Sequence, residues 1–128
     1  MKSFKLIIVL FVIFGTAYSQ NLFVKELTCE HKINPLGIDV LKPRLSWKIT
    51  GTGGSILQTG YSIRVATDAK FTSGKLVWQT EKTASDESVL QEYKGPALKS
   101  GQRYYWQVRV WDNKGRVSKW SETAFWEM

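Results

Sequence analysis

The fold is decided by the stretch Leu98 to Asp112, which reads L-K-S-G-Q-R-Y-Y-W-Q-V-R-V-W-D. Tyr104, Trp106, Val108 and Val110 are apolar and alternate with Tyr105, Gln107 and Arg109. Side chains of a strand point alternately to its two faces, so this period of two predicts a strand with one face in a core and the other carrying polar groups. Asn113, Lys114 and Gly115 follow as a hairpin turn in which glycine can take positive φ.

Similar short segments lie on both sides. Upstream, Arg44–Thr50 puts Leu45, Trp47 and Ile49 on one face and Arg44, Ser46 and Lys48 on the other. In Gln58–Thr67, Tyr61, Ile63 and Val65 are expected to face inward, with Ser62, Arg64 and Ala66 outward. Val24–Glu30 is a first strand with Val24 or Leu27, and Cys29, inward; Pro35 and Pro43 beyond it mark an edge region. Leu76–Thr80 carries Trp78, Val89–Tyr93 is short with an ambiguous inner face, and Thr123–Met128 is last. The polar run Thr83–Ser88 reads as a loop. Seven strands separated by Gly, Pro, Asn, Asp and Ser clusters, with no long amphipathic helical pattern, predict an all-β sandwich. Trp47, Tyr61, Tyr104 and Trp106 are its expected core anchors.

The N-terminus reads differently. Lys2 and Lys5 precede nine apolar residues, Leu6 to Phe14, which lead to Ala17, Tyr18 and Ser19. That is the pattern of a secretory signal peptide over residues 1–19, leaving a domain over 20–128. As a helix, nine residues reach only about 14 Å against the roughly 30 Å of a bilayer core, so no stable membrane anchor is expected. An exported protein, periplasmic or extracellular, follows. Without Lys2 and Lys5 the 18 basic residues fall by two against 11 acidic ones, and the formal charge drops from +7 to +5. Dispersed basic residues on an exported chain argue for solubility and against nucleic acid. Cys29 is the only cysteine, so the core must hold without an internal disulfide, and a buried thiol is expected.

No catalytic constellation emerges. The loop G-T-G-G-S at Gly51–Ser55 lacks the helix and the Lys-Ser or Lys-Thr pair of a phosphate cradle. Asp86, Glu87 and Glu92 lie on a loop and a short strand, with no cleft to raise the pKa of one as a glycosidase acid requires. His31, the single histidine, makes no metal set with Cys29 and Glu30 and finds no serine in a nucleophile elbow. No catalytic residue, cofactor or metal is assigned.

Leu98 and Tyr104 resemble the tyrosine corner of fibronectin type III modules, in which a tyrosine hydroxyl bonds back to the preceding loop; Ser100 stands where those modules usually have proline. The run S-K-W-S at Ser118–Ser121 resembles the Trp-Ser element of cytokine-receptor modules, where Trp and Arg side chains stack. Arg64, Arg103 and Arg109 could interleave with Trp78, Trp111 and Trp120 in such a stack. Two readings stay open for Trp78, Arg109, Trp111 and Trp120: a structural or domain-docking cover on the outer sheet, or a carbohydrate platform.

The widest resemblance rests on P-L-G-I-D-V-L-K-P-R-L-S-W-K-I at Pro35–Ile49, Q-T-G-Y-S-I-R-V-A at Gln58–Ala66 and G-K-L-V-W at Gly74–Trp78. It continues through Y-Y-W-Q-V-R-V-W-D at Tyr104–Asp112 and W-S-E-T-A-F-W-E-M at Trp120–Met128. Together these resemble the N-terminal module of bacterial α-L-rhamnosidases of glycoside hydrolase family 78. The resemblance implies a fibronectin-III/immunoglobulin-like sandwich preceding further β-domains and a catalytic barrel. It also implies that the catalytic acids and the calcium-linked sugar site belong to later domains; no position here matches them. The expected role is a non-catalytic accessory module, a fragment or truncated product of an exported enzyme, whose partners are the neighbouring domains. A stand-alone module that binds rhamnose-containing glycans or proteins is the alternative.

Overall fold

The computed structural model describes residues 21–128, together with Ser3. Apart from Ser3, the segment read as a signal peptide lies outside the described residues. Among the described residues the strands are β1 (Leu22–Cys29), β2 (Arg44–Gly51), β3 (Gln58–Ala66), β4 (Leu76–Gln79), β5 (Thr83–Ala84), β6 (Gln91–Glu92), β7 (Arg103–Asp112) and β8 (Ala124–Glu127). One sheet has the order β1-β2-β6; the other has β4-β3-β7-β8, with β5 paired to β3 on the same edge as β4. All pairings are antiparallel. Two packed antiparallel sheets make the sandwich that the alternation predicted.

There are eight strands here, not seven. Thr83–Ala84, read as loop, pairs with Gly60 and Tyr61. A two-residue polar strand has no periodicity to betray it.

The core lies between the inner faces. β7 alternates along its whole length, with Tyr104, Trp106, Val108 and Val110 buried and the intervening residues half-buried. Trp47 of β2 and Trp126 of β8 are equally enclosed. In β1, Val24 and Cys29 are both buried although an odd number of positions separates them. A bulge between Lys25 and Thr28, with Glu26 at φ 52°, resets the pleat and brings both inside. Burial, reinforced by the charge of Glu30, pushes the Cys29 thiol up to about 12.

Parity along β3 holds, but exposure does not follow it at three positions. Tyr61 is half-buried at the margin of the core, edge-on to Trp47 with ring centroids 5.1 Å apart. Ser62 and Ala66 face outward as expected, opposite Arg109 and Tyr105, yet are buried. The outer face of β3 is itself roofed by side chains from other segments, so burial does not alternate there. The Ser62 hydroxyl is satisfied by donating to the Thr80 carbonyl at 2.7 Å.

Polar ties lock the sheets together. Gln58, buried at the start of β3, accepts from Trp47 Nε1 at 2.9 Å and donates through Nε2 to the carbonyls of Ser85 and Glu87 at 3.1 and 2.9 Å. The tyrosine corner forms as its resemblance implied: the backbone N–H of Lys99 donates to the Tyr104 hydroxyl at 2.8 Å.

Candidate functional site

The outer face of the five-stranded sheet carries a continuous stack of cations and aromatic rings. Parity sets its framework. Because even positions of β7 face the core, Gln107, Arg109 and Trp111 face outward, and the register places Arg64 of β3 opposite Gln107 and Ser62 opposite Arg109. Arg64 is steadied by donating from Nε to Gln107 Oε1 at 2.8 Å.

Trp120 enters from the segment between β7 and β8. After the turn at Asp112–Gly115, in which Gly115 has φ 74°, Val117 makes an isolated bridge to Trp111 and the chain runs back along the edge of β7. Ser118 and Ser121 pin it there. Each serine donates its N–H to a β7 carbonyl, Val110 at 2.9 Å and Val108 at 2.8 Å. Each hydroxyl accepts from the same β7 residue, from Val110 N–H at 2.9 Å and Val108 N–H at 3.0 Å. These bonds satisfy the stretch of β7 edge that β8 does not reach, and they fix Trp120 over the sheet.

The resulting order along β7 is Lys82, Trp111, Arg109, Trp120, Arg64, Phe71. Lys82 Nζ lies 5.1 Å from the Trp111 ring, and the Arg109 guanidinium 5.3 Å from Trp111 and 4.7 Å from Trp120. The Arg64 guanidinium lies 4.3 Å from Trp120 and 4.5 Å from Phe71. Contacts of this kind contribute roughly 0.5 to 2 kcal/mol each, depending on desolvation. Burial, with Arg109 nearby, lowers the Arg64 pKa from its ordinary value.

Arg109, Trp111 and Trp120 are thus brought together, and Trp78 is not. Trp78 is opposite the inward Val65 and packs on the core side, its ring 4.9 Å from Tyr93 at 72°. Arg103 also stands apart, stacked 4.1 Å from the Phe125 ring and ion-paired to Glu127 at 3.0 Å. Phe71 and Lys82 join the stack from irregular segments where no sequence period announces them. The stack occupies its own aromatic faces: two cations lie over Trp111 and two over Trp120. A neutral pyranose would have to displace them.

A groove of about 700 Å³ lies between β1 and the segment 119–124. Phe23 and Ile33, 51% and 76% exposed, line it, together with Glu26 and Glu122. The Lys48 ammonium hydrogen-bonds Glu26 at 2.6 Å and holds its carboxyl below the usual range, the opposite of what a general acid needs. Among the described residues no group of three or more His, Cys, Asp or Glu is placed to hold a metal.

Residues 24–128 match the family model described as "Rha78A-like, N-terminal immunoglobulin domain". The chain is 43% identical over 104 residues to an α-L-rhamnosidase of Streptomyces avermitilis, covering 81% of this chain and 10% of that protein. An α-L-rhamnosidase of Formosa agariphila is 37% identical over 99 residues, again 76% of this chain and 10% of the relative. Among solved structures, the Streptomyces avermitilis enzyme complexed with L-rhamnose superposes with a TM-score of 0.80, covering 84% of this chain and 10% of that one. The α-L-rhamnosidase of Dictyoglumus thermophilum gives 0.78 at 33% identity, covering 83% and 12%. The chain therefore spans about a tenth of the length of these relatives.

Proposed function

Because the chain belongs to the family of Rha78A-like N-terminal immunoglobulin domains, we propose that it acts as a non-catalytic accessory module of an exported α-L-rhamnosidase-like glycoside hydrolase, packing against a neighbouring domain and holding it in position. One observation carries this reading: most of this chain aligns with enzymes of which it makes up only about a tenth. On this reading the chemistry of such an enzyme resides outside the segment that aligns with this chain. The groove beside β1 supports a docking role, since Phe23 and Ile33 leave apolar surface uncovered where another domain of the same polypeptide would rest. Export is supported by the basic, apolar and small-residue succession of residues 1–19. Incubating the purified chain at high concentration with an aryl α-L-rhamnoside tests the non-catalytic assignment. The expected result is no released phenol; turnover that copurifies with the chain would overturn it.

A further inference from the structure

The stack on the outer sheet is held as a structural element would be, yet its charges are left unanswered. Arg44, Arg103 and Arg116 each reach a carboxylate, those of Glu30, Glu127 and Asp112. Arg64, Arg109 and Lys82 form no ion pair with any described residue. No described residue accepts a hydrogen bond from the Arg109 guanidinium, and its Nε is buried without a partner. With Nε enclosed and the guanidinium carbon 5.3 and 4.7 Å from the Trp111 and Trp120 rings, the Nη1–Nη2 edge is the one whose hydrogen-bonding capacity no described residue takes up. That edge is a planar fork matched to two oxygens of a carboxylate or sulfate.

We propose that the Arg109 fork, flanked by Arg64 and Lys82, is a binding site for oxyanion substituents, carboxylate or sulfate ester, carried on a polysaccharide. The rings on either side hold Arg109 in place, so little side-chain freedom is lost when an anion arrives. Three cations strung along β7 suit a linear polymer that carries its charges at intervals. Arg64 is level with Gln107, so Arg109 and Arg64 are offset by a two-residue step along the strands, about 7 Å. The half-buried edges of Trp111 and Trp120 lie beside the cations and offer apolar contact to the sugar rings between charged groups. This favours an acidic glycan over an acidic protein segment, which has no use for those edges. The site does not depend on the docking role proposed above, and its failure would leave that role untouched.

The test is affinity electrophoresis of the full chain through gels containing polygalacturonate, dextran sulfate or neutral dextran, with tryptophan fluorescence titrated in parallel at fixed ionic strength. One or both charged polymers should retard the chain and perturb the indole emission, and neutral dextran should do neither. Retardation by polygalacturonate alone assigns the site to carboxylates, and by dextran sulfate alone to sulfate esters. Binding should fall about tenfold in Arg109→Gln and in Arg109→Lys, the loss of one bidentate charge-assisted pair. Arg109→Lys keeps the charge and the stack, so it separates fork geometry from folding. Lys94→Gln, a charge removed beside β6, should change binding less than about twofold. Equal losses in Lys94→Gln, full binding by Arg109→Lys, retention by neutral dextran, or no retention by either charged polymer would overturn the proposal. Displacement by poly-L-glutamate at equal charge concentration would also overturn it, in favour of an acidic protein partner.

Discussion

Replacing Tyr104 by phenylalanine removes a single oxygen from the corner that anchors β7. The ring keeps its place, 3% exposed and stacked on Trp126 with centroids 5.6 Å apart, so almost no apolar burial is lost. What disappears is the acceptor for the Lys99 N–H at 2.8 Å, leaving that partly buried donor without its partner. Losing such a bond and stranding its donor costs about 1 to 3 kcal/mol. For a domain of this size that corresponds to a fall in Tm of roughly 5 to 15 °C. Urea titration followed by tryptophan emission should show the midpoint falling with an unchanged slope, the mark of a change in stability alone. Tyr61→Phe is the control. Its hydroxyl sits 3.4 Å from Gln91 Oε1, long for a bond of this type, and its loss should cost under about 0.5 kcal/mol. If Tyr104→Phe costs no more than Tyr61→Phe, the corner does not anchor the strand.

Gln58→Ala should be more damaging than Tyr104→Phe, by about 3 kcal/mol or more in the same titration, because it strands Trp47 Nε1 and two backbone carbonyls in a buried setting. Asp112 should make the fold acid-sensitive. Burial alone would raise its carboxyl, but the backbone N–H and side chain of Arg116, with the N–H of Lys114, outweigh it and hold the pKa below the ordinary value of 3.8. A depressed folded pKa gives stability that is present above the unfolded value and lost as pH falls through the folded one. Denaturation midpoints measured from pH 5 down to pH 2 should therefore drop more steeply in the parent than in Asp112→Asn, which starts lower and lacks that titration.

Legibility in the sequence followed the physics of each strand. β7 was readable because its inner face meets only core and its outer face only half-buried groups, so period two survived intact. β3 was half readable: its residues obey parity, with Ile63 and Val65 inward, but Ser62 and Ala66 are buried on the outer face, Ser62 through its bond to the Thr80 carbonyl. The two possible inner faces of β1 are both used, one on each side of its bulge. Val89–Tyr93 shortens to Gln91–Glu92, with Leu90 at φ 54° just before it. Arg109 and Trp111 were placed outward by parity alone, and Trp120 by the S-K-W-S run. Trp78 was grouped with them because a four-residue strand offers too few positions to decide its face; its pairing with Val65 does. Lys82 and Phe71 were invisible as members of the stack, since contacts brought together by loops leave no mark on the periodicity.

The positioning role is tested most directly in an intact enzyme. In the Streptomyces avermitilis α-L-rhamnosidase, the module corresponding to residues 24–128 can be deleted or replaced by this chain, and the thermal midpoint and aryl-rhamnoside turnover measured for each. Deletion should lower the midpoint and the replacement should restore it, with the enzyme's substrate preference unchanged. A deleted enzyme as stable and as active as the intact one would contradict the positioning role.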